Sequence, residues 1–115
     1  MNLLKAEASE VLDEQTAAYL AELFRALSDP SRIRIISALS MGEMSVGSLA
    51  EAVGLSESAA SHQLRGLRQM RLVRGRKQGR QVYYALDDAH IRDLYLRGLA
   101  HVQHNTVRKK INIER

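Results

Sequence analysis

Cysteine and tryptophan are absent from this 115-residue chain, proline and phenylalanine occur once each, and no apolar run approaches a membrane span in length. The lack of cysteine excludes disulfides, thiolate metal sites and thiol redox sensing. The first residues, "MNLLKAEASEVLDEQ", carry acids where a signal peptide would have a basic and then an apolar stretch. A soluble, cytoplasmic protein is therefore expected. Repeats, low-complexity tracts and Gly/Ser linkers are also missing, so the chain reads as one small domain whose modest core a second subunit would extend. The 45% apolar and 26% charged residues that are present suit a folded chain and argue against wholesale disorder.

The net charge of +4 is unevenly spread. Residues 1–30 hold six acids against Lys5 and Arg25, whereas residues 58–86 hold no acid and seven bases, from Arg65 to Arg80. A one-sign block is often only a solvated surface. Its repulsion is also relieved by a polyanion, which exchanges condensed counterions for Lys and Arg, so its structural context decides.

Helical periodicity organises the first half. "DEQTAAYLAELFRAL" spaces Ala17, Leu20, Ala21, Phe24 and Leu27 along one face. In "SDPSRIRIISALS", Ser28 or Asp29 caps a helix that Pro30 can start without a donor, with Ile33, Ile36 and Leu39 as its buried stripe and Gly42 as its end. "SVGSLAEAVGL" repeats this on a smaller scale, with Ser45 as cap and Gly54 as stop, and Ser56 caps "SESAASHQLRGLRQMR" directly afterwards.

Two helices joined through a glycine by so few residues make a helix-turn-helix. In the second helix Ala60, Leu64 and Leu67 share an inward face, while Ser58, Ser61, His62, Arg65 and Gln69 form a polar, acid-free face able to bond base edges and phosphates. "LVRGRKQGRQVYYAL" then predicts strands at 72–76 and 81–86 around a turn at Gly79. Such a hairpin is a wing, laying Lys77 and Arg80 along the backbone or minor groove of a duplex. Of Tyr83 and Tyr84, strand alternation sends one ring to the core and one to the surface, which is preferred to base stacking.

The segments "LSDPSRIRIISAL", "VGSLAEAVGLSESAASHQLRGLRQMRLV" and "RKQGRQVYYAL" resemble the ArsR/SmtB family of winged helix-turn-helix repressors, over about residues 15–105. The resemblance implies a mainly α fold with a small β-hairpin, and a homodimer that leaves an imperfect inverted repeat of double-stranded operator DNA when metal binds. It also implies that Ser58, Ser61, His62, Gln63 and Arg65 line the DNA-facing helix. Members that sense soft metals carry cysteines in the stretch matching "EMSVGSL", where this chain has Ser45 and Gly47, which disfavours arsenic, cadmium and lead.

The remaining chemistry lies in "HIRDLYLRGLAHVQH", residues 90–104, with three of the four histidines. Asp87 or Asp88 caps a helix running to about Asn105, with Ile91, Leu94, Tyr95, Gly98, Leu99 and Val102 as its apolar stripe. His90 and His101 fall within about 20° of one another around the axis but roughly 16 Å apart along it, whereas zinc holds each imidazole nitrogen at about 2 Å. One helix cannot close such a site; two antiparallel copies can. The expected set is Asp88 and His90 from one chain with His101 and His104 from the other, twice per dimer. "DAH" and "HVQH", separated by ten residues, also match the family's zinc-type sensor pattern on the last helix.

One oxygen and three nitrogen donors suit Zn(II), with Co(II) as a substitute, while octahedral Ni(II) would need further ligands that neither end of the chain supplies as histidine. Four protein ligands close the shell, and no glutamate is placed as a base, so an enzyme is not expected. The competing reading is a metal-independent winged-helix regulator of the same fold. In the favoured reading zinc efflux or sequestration genes are controlled, no membrane or further protein is needed, and a hydrogen bond from the far nitrogen of His101 carries the signal towards the recognition helix. The expected organisation is an arm at 1–12, the winged domain at 13–106 with its last helix at about 87–106, and a basic tail at 107–115.

Overall fold

The computed structural model describes residues 10–113, with side chains through residue 105. The order is α1 (Glu14–Ala26), α2 (Pro30–Leu39), β1 (Met44–Ser45), α3 (Val46–Val53), α4 (Glu57–Gln69), β2 (Val73–Gln78), β3 (Gln81–Leu86) and α5 (Ala89–Ile113). The chain is thus mainly helical with a small sheet in the order β1-β3-β2, all antiparallel. Most of the expected arm, residues 1–9, lies outside the described residues, as do the side chains of the expected tail.

Each helix start is set by a side-chain oxygen that accepts from an otherwise orphaned N–H. Asp13 accepts from Thr16, Asp29 from Arg32, Ser45 from Ser48 and Ser56 from Ala59. Asp29 therefore decides the choice left open with Ser28, and Pro30 follows it inside the helix. The ends of α3 and α4 share one geometry. Leu55 N–H reaches back to Ala50 C=O at 2.9 Å through Gly54 at φ +72°, and Leu72 N–H reaches Leu67 C=O at 3.0 Å through Arg71 at φ +60°. Gly54 adopts the left-handed conformation without strain, whereas Arg71 holds it with a Cβ.

The core gathers Ile35, Leu39, Leu49, Leu64, Leu67 and Val73 among its members, closed on one side by Tyr84. Tyr84 is buried and Tyr83 half-buried, as alternation along β3 requires. On α2 the deepest residue is Ile35, while Ile33 is only half-buried, because α2 is covered on two sides and its inward face is wider than the expected stripe.

Three further differences bear on function or on the sheet. The apolar stripe that periodicity marks on α1 is left largely open to solvent by its own chain, with Leu20 41% and Phe24 51% exposed. The last helix continues to Ile113, so the segment expected as a tail from residue 107 is helical through 113. Strand β1 has only two residues and no periodic signal in the sequence; it pairs Met44 with Tyr84 and Ser45 with Tyr83. No helix among the described residues is long and apolar enough to cross a membrane.

Candidate nucleic-acid interface and metal site

The helix-turn-helix is α3, the turn at Gly54–Ser56, and α4. Ala60, Leu64 and Leu67 are fully buried and fix the rotation of α4 about its axis. At 100° per residue, Ser58, His62, Arg65 and Gln69 then centre on the side opposite the core, and all four are exposed. Ser61 and Gln63 lie on the two flanks and are half-buried. The expected face thus comes together, with Ser61 and Gln63 at its margins. Arg65 Nε donates to Ser61 C=O at 3.3 Å and lies along its own helix. Gln63 shows how the flank differs from the face: it stands three residues after Ala60 and four before Leu67, both buried, which turns it off the fully solvated side.

The wing is β2 and β3, in register from Val73↔Leu86 to Gln78↔Gln81. Gly79 and Arg80 form its two-residue turn, with Gly79 at φ +62°. A first central residue of that sign matches the right-handed twist of the flanking strands. Lys77 and Arg80 are both exposed at the tip.

The middle of the wing carries a brace that sequence reasoning missed. Arg76 Nε and Nη2 donate to the two oxygens of Glu43 at 2.9 and 2.7 Å, its Nη1 donates to Gln78 Oε1 at 2.6 Å, and its guanidinium lies 4.8 Å from the Tyr83 ring centre. These hydrogen bonds hold the Glu43 carboxyl below its ordinary range and raise Arg76. Arg76 thus anchors the wing to the segment before β1. The 33-residue separation of the partners leaves no local signal in the sequence.

The candidate metal ligands sit at two places on α5. Asp88 caps the helix, accepting from His90 N–H at 2.8 Å and Ile91 N–H at 3.3 Å, while Asp87 N–H is directed to Leu72 C=O. The same Asp88 Oδ1 lies 3.4 Å from His90 Nδ1, so these two donors are adjacent, and the His90 side chain is 86% exposed. His101 and His104 lie about three turns further along and are exposed. Among the described residues of the single chain no three His, Asp or Glu side chains gather around one point. His101 Nε2 is 3.1 Å from Asn105 Nδ2 on its own helix, not directed towards α4.

Between these two ends runs an apolar groove of about 420 Å³, formed by α1, α2 and α5 and including Phe24, Ile33, Leu94, Gly98, Leu99 and Val102. It joins the exposed stripe of α1 to that of α5. A contiguous apolar surface of this kind marks a site of association.

Residues 29–74 match the family described as bacterial regulatory protein, arsR family. A transcriptional repressor SmtB homolog of Synechocystis sp. is 51% identical over 94 residues, 82% of this chain and 71% of that protein. The HTH-type transcriptional regulator NmtR of Mycobacterium tuberculosis is 44% identical over 96 residues, covering 84% and 80% of the two chains. The solution structure of apo-NmtR superposes with a TM-score of 0.72 at 42% identity, over 87% of this chain and 84% of that one. The homodimeric winged helix-turn-helix DNA-binding domain Mb0332 of Mycobacterium bovis gives a TM-score of 0.74 at 25% identity, over 87% and 94%. The chain belongs to the arsR family of bacterial regulators and has its winged helix-turn-helix fold.

Proposed function

We propose that the chain is a homodimeric repressor that binds operator DNA through α4 and the wing, and leaves it when Zn(II) occupies two sites shared between subunits. Each site takes Asp88 and His90 from one protomer with His101 and His104 of the partner subunit. The observation that carries this reading is the division of α5 into a donor pair at its start, with Asp88 and His90 3.4 Å apart, and an exposed histidine pair about three turns on, separated by apolar groove. Antiparallel packing of two copies over that groove unites the start of one helix with the end of the other.

The donor chemistry fits the ion. Three imidazole nitrogens and one carboxylate make a closed tetrahedral set, and Asp88, already fixed as a cap, is half-exposed with a second carboxylate oxygen to offer. Bound zinc supplies a cross-link between the two subunits. The chain's own residues carry the consequence: fixing the two α5 helices biases the separation of the two α4 helices, which a duplex requires at about 34 Å. By linkage, DNA weakens zinc binding by the same factor as zinc weakens DNA binding.

The test is fluorescence anisotropy of a duplex that the full-length protein itself selects from a random library, at fixed salt, titrated with Zn(II), Co(II) and Ni(II) in turn, alongside equilibrium dialysis. Two zinc ions per dimer and release of the duplex support the reading. A dimer that holds the duplex but takes up no zinc is a metal-independent regulator instead.

A further inference from the structure

A second cavity lies on a different face of α1. It is open, about 720 Å³, and is formed by α1, the start of α2 and the end of α4 with the following residues. By helical rotation its α1 residues, Tyr19, Glu22, Leu23, Arg25 and Ala26, centre roughly 140° from Phe24 and Leu27, which border the groove. Packing of a second subunit over that groove therefore leaves this cavity accessible.

Its chemistry is two-sided. Leu23, Met70 and Leu72 with the ring of Tyr19 give it an apolar wall, and Arg25, Arg32 and Arg71 set three guanidinium groups against the single carboxylate of Glu22. Arg32 Nη1 is occupied by Ala26 C=O at 3.2 Å. Among the described residues no oxygen accepts from the guanidinium of Arg25 or Arg71, and no carboxylate pairs with either. Arg71 is also the one non-glycine residue described with positive φ, which fixes where its side chain leaves the end of α4. A cavity of this size suits a small organic ligand. Unpaired guanidinium forks recognise planar or tetrahedral oxyanions in bidentate fashion.

The geometry points to a binding site for a small organic oxyanion, a carboxylate or phosphate monoester carrying an apolar body, held by Arg25 and Arg71 against the wall formed by Leu23 and Met70. The site spans α1 and the C-terminal end of the recognition helix, so an occupant draws these elements together and gives DNA binding an input separate from α5. This regulatory half rests on the repressor reading; the binding half does not.

Amide-resolved NMR of the full chain without DNA tests the site directly, with phenyl phosphate, benzoate and inorganic phosphate as probes. Phenyl phosphate is expected to shift residues 19–32 and 69–72 with a Kd of about 1 mM or tighter, at least roughly tenfold below that of inorganic phosphate. Arg25→Gln with Arg71→Gln is expected to remove these shifts, while Arg97→Gln, on α5, leaves them. Equal affinity for inorganic phosphate, or shifts that survive the double substitution, would overturn the site. Saturating phenyl phosphate that leaves the anisotropy of the selected duplex unchanged would overturn its regulatory role.

Discussion

Tyr95 on α5 donates its phenolic hydrogen to Ser37 Oγ on α2 at 2.8 Å, across 58 residues of chain. Nearby, Arg92 Nε donates to Ser40 C=O at 3.0 Å, at the end of α2. Arg34, also on α2, donates to Val53 C=O at 2.9 Å, just before the turn of the helix-turn-helix. The helix bearing the candidate metal ligands is thus tied to α2, and α2 to the turn that positions α4.

Tyr95→Phe removes one half-buried hydrogen bond and leaves Ser37 able to meet water. A loss of about 1 kcal/mol is expected. The urea midpoint should fall at unchanged slope, and affinity for DNA without metal should stay within about twofold, since Tyr95 and Ser37 lie on α5 and α2, outside the exposed face of α4 and the wing.

His101→Ala and His104→Ala each remove one nitrogen donor from the proposed zinc set. Changes outside the ligand shell alone cost about 10–100-fold in metal affinity, so loss of a ligand should cost at least that. The variants should hold the selected duplex as the parent does and fail to release it at zinc concentrations that release the parent. Release that persists in anisotropy would place the ligands elsewhere.

Phe24→Asp puts a charge into the groove shared by α1 and α5. Burying it there is unfavourable, and an anchor of this kind is worth about 2 kcal/mol, roughly thirtyfold in Kd. Sedimentation velocity should show a shift towards monomer, with the far-ultraviolet helical signal retained.

Arg71→Gly relieves the Cβ strain at φ +60°, as Gly54 does at the end of α3. Relief of about 1–2 kcal/mol, offset by about 0.5–1 kcal/mol for the greater freedom of glycine in the unfolded chain, leaves an expected net stabilisation of up to about 1 kcal/mol. Urea unfolding at unchanged slope is the measurement, and a lower midpoint would show that the conformation is not strained.

The Glu43–Arg76 pair makes the wing's anchoring depend on pH. The hydrogen bond from Arg76 lowers the Glu43 carboxyl below its ordinary 4.5, so the unfolded chain takes up its proton first as pH falls. The pair's contribution is therefore full above that value and is lost as pH drops below 4.5 through the folded-state value. Amide exchange in β2 and β3 should accelerate over that range, and Glu43→Gln should reproduce the effect at neutral pH. Because both groups are exposed, global unfolding should move little.

The caps, the glycine turn and the inward faces of α3 and α4 are local features: a side-chain oxygen three residues before the N–H it satisfies, or a 3.6-residue period, is written within a few positions of sequence. Ser45, Gly54 and Ser56 are therefore legible from the sequence alone, and Asp29 as one of two adjacent candidates. The same arithmetic of helical rise separates His90 from His101 and makes a second subunit necessary to the proposed site. What tertiary structure decided depends on partners distant in sequence. Strand β1 exists because Met44 and Ser45 find the free edge of β3, and the Glu43–Arg76 brace spans 33 residues. The amphipathic pattern of α1 correctly marks an apolar stripe, but only the packing reveals that its own chain leaves that stripe open. Periodicity reports which face of a helix avoids water; which surface covers it is settled by the arrangement of all the other elements.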